Sequence, residues 1–172
     1  MRNKYITYGF CFHNSSEVET NLITNCVNKP RKALWGSPMS DNSYSWKQWC
    51  EDNDFRIGNE EDFYYWKTYT IWEMEDAKIL KLSTLKDLKD LLSKGVLNLS
   101  SQYINAYLFD FKEIKELGYS AVELIDSCLG HTFGWDSMED VRIEMCMNSW
   151  DCNSIVVLNP DDIVIPKDQS IE

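Results

Sequence analysis

Asp151, Asn153 and Ser154 stand directly in front of a short apolar run, Ile155-Val156-Val157-Leu158, which ends at Asn159-Pro160. A β-branched run bounded by turn residues predicts a buried strand. Polar side chains at the mouth of such a strand are held by a rigid scaffold over whatever cleft lies there. Two other segments carry complementary groups: Phe12-His13-Asn14-Ser15, and Ala33-Leu34-Trp35-Gly36-Ser37-Pro38. A carboxylate, an imidazole, amides, hydroxyls and an indole face are what a nucleotide site needs, since polar groups fix orientation and a ring takes up the base. Singly, each residue has an ordinary structural use. His13 can cap or sit at the surface, Trp35 and Trp49 can be core, and Asp151 can close a turn. Cys11 lies two residues before His13, on the same side of a predicted strand, but no Asn or Asp can be assigned to orient a Cys–His pair.

These groups need elements to hold them. Tyr5 to Phe12 reads as a first strand, and Ser15 or Ser16 can cap a helix beginning at Glu17, with Leu22, Ile23, Cys26 and Val27 on one face. Residues 28–32 form a loop before the Trp35 segment, and a short helix is expected over Tyr44 to Glu51. Phe63 to Glu73 is rich in aromatic and β-branched residues and predicts a strand suited to a sheet edge. Ala77 to Leu82 reads as its neighbour. Ser83 is placed to cap a helix through Lys94, with Leu85, Leu88, Leu91 and Leu92 as the core stripe and Gly95 as the stop. A further helix spans Phe111 to Leu117, and Tyr119 to Ile125 is a strand carrying Glu123. Residues 126–140 read as an irregular loop, in which His131, between Gly130 and Gly134, lies on a stretch that can cover a cleft. Ile143 to Met147 is read as a strand, and Asp161 to Pro166 as a segment trailing along the body. Residues 1–172 are thus expected to form one α+β domain.

Composition narrows the functions. A formal net charge of −11 argues against sequence-independent binding to phosphate backbones and suits a partner with a basic surface. The seven Trp and nine Tyr are a high density of residues favoured in cores, ligand clefts and interfaces. The six cysteines have no CxxC spacing, and two histidines offer no zinc-ligand pair, so reduced thiols and no metal are expected. No run approaches the ~20 apolar residues of a membrane span. The expected location is therefore the cytoplasm.

Taken together, the blocks resemble the ADP-ribosyltransferase fold, in its His-Tyr-Glu branch of poly(ADP-ribose) polymerases and diphtheria-type toxins. Phe12-His13-Asn14-Ser15 is similar to the first-strand motif. Ala33 to Pro38 followed by Ser45-Trp46-Lys47-Gln48-Trp49-Cys50 is similar to the second strand and following helix, and Asn153 to Pro160 to the strand bearing the catalytic glutamate. The Leu-Trp-Gly-Ser-Pro, Ser-Trp-x-x-Trp-Cys and Trp-Asp-Cys-x-Ser-Ile elements also resemble those of a small group of bacterial and phage proteins. The resemblance implies a twisted, split, mixed or antiparallel sheet with flanking helices, and NAD as substrate.

In that likeness His13 holds the adenosine-side ribose, with Phe12 and Asn14 beside it, Asn14 able to contact the nicotinamide amide. Trp35 and one of Trp46 or Trp49 clamp the nicotinamide, and Ser37 orients its amide or ribose. Where the family carries its glutamate this chain has Ser154, so Asp151 or Glu123 would supply the charge beside an oxocarbenium-like transition state. Two functions follow as expectations. One is an NAD-dependent mono-ADP-ribosyltransferase acting on a protein or nucleic acid, an anti-defence protein if the source is a phage. The other is an inactive protein of the same fold that occupies a basic, nucleic-acid-handling partner. Oligomeric state is not readable from the sequence.

Overall fold

The apolar run after Asn153 is buried along its whole length because both sheet faces around it are covered. A computed structural model of the chain describes residues 3–9, 16, 30, 33–40, 44–55, 68–100, 106–125, 136–147 and 150–170. The fold is α+β, built on a mixed, curled sheet. The strands are β1 (Lys4–Tyr8), β2 (Trp35–Pro38), β3 (Tyr69–Met74), β4 (Ile79–Leu82), β7 (Ala121–Leu124), β8 (Ser154–Val157) and β9 (Ile163–Val164), hydrogen-bonded in the continuous order β4-β7-β8-β2-β1-β3-β9. Only β4 and β7 run parallel; the other neighbours are antiparallel. A separate hairpin pairs β5 (Leu97–Leu99) with β6 (Tyr107–Phe109). The helices are α1 (Trp46–Asp52), α2 (Leu85–Ser93), α3 (Phe111–Glu116) and α4 (Met138–Glu144).

Alternation along the strands sorts the core into two faces. On the first, Leu82, Leu124 and Val156 pack with Leu88 and Leu91 of α2, Phe111 and Ile114 of α3, and Ile143 of α4. On the second, Tyr5, Trp72, Ala121, Ile155, Val157 and Ile163 pack together. Trp72 lies across the sheet, stacked on Tyr5 at 4.9 Å between ring centroids. Its indole N–H donates to Thr7 Oγ1 at 3.0 Å, and that hydroxyl donates to the Trp35 carbonyl at 2.6 Å. A Cβ on Gly36 would sit 2.5 Å from Trp72 Cζ2. Gly36 is therefore the gap through which the indole crosses.

Several elements differ from the sequence reading. β1 ends at Tyr8, because Gly9 adopts φ +72° and donates its N–H to Thr68 O. The strand and helix expected over 10–27 otherwise lie outside the described residues. β3 is no edge, since β9 pairs beyond it, which also places the segment after Asp161 within the sheet. β4 does not neighbour β3; it crosses to the far edge and pairs with β7. Thr84, not Ser83, caps α2, in a capping box with Asp87, and Gly95 ends it at φ +75°. Residues expected as loop and strand across 138–147 form α4 and a short 3-10 turn, capped by Ser137. No helix among the described residues is long and apolar enough to cross a membrane.

Candidate functional site

Strand β2 joins the two expected blocks directly. Trp35 pairs with Val156 and Gly36 with Ile155, so the same register continued by one residue sets Ser37 beside Ser154. Trp35, Ser37 and Ser154 thus share the first face, the one Val156 and Leu124 occupy. Helix α1 begins over this point. Ser45 Oγ accepts from Gln48 N as its N-cap, and Ser37 Oγ accepts the Trp46 N–H at 3.0 Å. A strand hydroxyl therefore satisfies one of the donors that a helix leaves open at its start. On the other side, the Asn153 N–H donates to Tyr44 O at 2.9 Å. Ser154 Oγ donates to Cys152 O at 2.9 Å. Burial pushes the Cys50 thiol of α1 up to about 11, with Cys152 and Glu51 adding to it, so it stays protonated near neutrality. The neighbouring segments β2 and α1 close with the distant start of β8 into one seam, and Ser37, Cys50, Cys152, Asn153 and Ser154 are all buried within it.

The aromatic residues of the seam face other rings. Trp35 meets Trp150 edge to face at 4.9 Å, and Trp150 in turn meets Phe109. Trp46 and Trp49 stack on each other at 5.0 Å with planes 9° apart. Phe55 packs against both, at 5.7 and 5.3 Å. This residue was missed in sequence because it sits alone in a polar stretch.

The two carboxylates proposed for the missing glutamate lie apart. Asp151 is exposed at the mouth of β8. Glu123 pairs with Ile155 and so faces the second side of the sheet, away from Trp35. There it is buried, accepts from the Tyr5 hydroxyl at 3.2 Å, and meets Lys81 Nζ at 3.2 Å. Its Oε2 faces that ammonium without a hydrogen bond of good geometry. Burial, and then the Glu123 charge, raise the Tyr5 pKa, so the phenol remains a donor. Neither Tyr5 nor Lys81 stood out in the sequence: one read as strand, the other as an exposed position on a weakly alternating one. Phe12, His13 and Asn14 lie outside the described residues, as do Cys11 and His131. Among the described residues, no three His, Cys, Asp or Glu side chains converge as around a metal ion.

No family model, curated protein or solved structure matches the chain. The likeness to ADP-ribosyltransferases therefore rests on the three sequence blocks. The geometry adds that two of the three, with the helix between them, meet in space.

Proposed function

We propose that this chain is a binding protein of ADP-ribosyltransferase-like design that occupies a basic, nucleic-acid-handling partner and does not turn over NAD. One observation carries the reading: the serine hydroxyls of the seam and the paired indoles of α1 already have partners within the protein. Ser37 accepts from Trp46 N, Ser154 donates to Cys152 O, and Trp46 and Trp49 cover each other. Glu123, the carboxylate on the strand beside β8, is turned to the opposite face and bound by Tyr5 and Lys81. A net charge of −11 supplies the attraction to a basic surface, and such attraction weakens with salt. Incubation with NAD is expected to release no nicotinamide above a protein-free control. Release that disappears in both His13→Ala and Asp151→Ala would overturn the proposal.

A second reading, an NAD-dependent ADP-ribosyltransferase, is favoured by one arrangement. Trp35, Ser37 and Ser154 share a face, with Asp151 in reach of solvent at the strand's mouth. It predicts calorimetric binding of NAD that His13→Ala abolishes.

A further inference from the structure

The C-terminal end of α1 carries a surface that the seam's packing does not explain. The helix stops in a Schellman turn: Asp54 N donates to Glu51 O at 3.4 Å and Phe55 N to Cys50 O at 2.8 Å. The left-handed position of that turn, where glycine is usual, is held by Asp54 at φ +46°. The turn fixes Phe55 against the stacked Trp46 and Trp49, yet leaves it 47 % exposed. Gln48, Glu51, Asp52, Asn53 and Asp54, on the same helix end and turn, are exposed; the one cation on the helix, Lys47, is within 3.9 Å of Glu51, and Arg56 follows Phe55 in the sequence. An ordered aromatic cluster inside an acidic rim is the pattern of an interface anchor with its polar surround.

Resting on the binding-protein reading above, we infer that this Trp46-Trp49-Phe55 surface is where the partner docks, and that it takes an arginine-bearing segment of a protein. Charge complementarity selects a cation. The ring faces select arginine over lysine, because a planar, weakly hydrated guanidinium stacks on aromatic rings while an ammonium holds its water. Asp54 follows from the same logic: glycine would suit the turn better, and aspartate adds charge beside the exposed ring.

The test is fluorescence anisotropy with a labelled Gly-Arg-Gly-Arg-Gly-Arg-Gly peptide and its lysine counterpart. The native chain is expected to bind the arginine peptide several-fold more tightly. Phe55→Ser is expected to weaken binding about tenfold or more, as loss of an interface anchor does. Asp54→Gly removes one of the acids beside Phe55 from a turn position that glycine fits, and is expected to weaken binding about two- to fivefold. Asp90→Asn removes the same charge from exposed α2, which packs at the β4 edge of the sheet, and is expected to leave Kd unchanged. Equal loss in Asp90→Asn and Asp54→Gly, native affinity in Phe55→Ser, or no binding by the native chain overturns this assignment. Salt-sensitive binding that ignores Phe55 removes the docking surface and leaves the binding-protein reading standing. Nicotinamide release removes that reading itself, whatever the peptide does.

Discussion

Replacing Gly36 by alanine tests whether the Trp-Gly-Ser segment is built for packing. The new Cβ would lie 2.5 Å from Trp72 Cζ2 and 3.2 Å from Cε2, against an ordinary contact near 4 Å. Something must move by about 1 Å, and neither neighbour yields easily. Trp72 is fully buried, stacked on Tyr5, and tied through its N–H to Thr7, which is tied to the Trp35 carbonyl. Overpacking of this kind costs about 1–3 kcal/mol. If the indole turns to make room, loss of its hydrogen bond adds about 1 kcal/mol. Gly36 has no positive φ, so alanine adds no backbone strain and stiffens the unfolded chain by about 0.4–1 kcal/mol in favour of folding. The net expectation is a loss of about 2 kcal/mol, or a fall in Tm of roughly 4–8 °C for a chain of this size. Denaturant titration of Gly36→Ala, alone and with Trp72→Phe, measures it. The glycine substitution should cost at least about 1 kcal/mol less beside the smaller ring, because the two sites share the overlap. A Gly36→Ala protein as stable as the native one, or an additive cycle, would refute the reasoning.

Three further outcomes are expected. Ser37→Ala removes the acceptor of the Trp46 N–H and should cost about 1–2 kcal/mol, with a loss of near-ultraviolet dichroism as the stacked tryptophans loosen. Tyr5→Phe deprives buried Glu123 of its hydroxyl donor and should cost about 1–3 kcal/mol in denaturant titration, the Lys81→Met change adding less than its single effect because both act on one carboxylate. The carboxyl of Asp140 is held below the ordinary aspartate range by Lys89 at 2.7 Å against the opposing effect of burial, and that of Asp87 by donors from Ser83 and Thr84 that outweigh its burial. Both shifts are depressions, so the stability they contribute is complete above the unfolded value near ~4 and is lost as pH falls through the folded values. The acid limb of a denaturation midpoint against pH should be shallower in Asp140→Asn.

What the sequence disclosed was local. β8 announced itself through four consecutive apolar residues between turn signals, α2 through its leucine stripe and Gly95, and α3 through Gly118 as its stop. Each of those signals lies within the element it defines. The strand order depends on pairing across long separations. Ile79 to Leu82 follows β3 after a turn at Asp76, which takes φ +48°, and closeness in sequence makes β3 its expected neighbour. It crosses instead to β7, where Lys81 meets Glu123 and Leu82 packs beside Leu124. Helix α4 was hidden because its short pattern, with Met138 and Met145 exposed, has few buried apolar positions. Asp140 holds the element in place, capping backward to Asp136 N and bridging to Lys89 of α2. Hairpin β5–β6 was missed for a similar reason, since only Leu97 and Phe109 of its paired residues are fully buried.

The site was legible as a convergence and opaque as a function, and the Trp35-Gly36-Ser37 triplet explains both. Alternation sends its three residues to different work. Trp35 turns to the first face and packs on Trp150. Gly36 clears the second face for Trp72. Ser37 returns to the first face and starts α1. Each residue type is demanded by a neighbour from another part of the chain, so the motif must bring those parts together whatever the protein does. Its chemistry, an indole beside a hydroxyl, is equally the chemistry of a nucleotide clamp, and spacing alone cannot separate the two uses. Geometry bears on the choice, because a clamp leaves its ring faces and hydroxyls open to a ligand while a seam bonds them to protein. Here Ser37 accepts from Trp46 N, Ser154 donates to Cys152 O, Trp46 and Trp49 cover each other, and the large aromatic exposed among the described residues is Phe55, twenty residues after Trp35 and next in the chain to the exposed acids of the helix end.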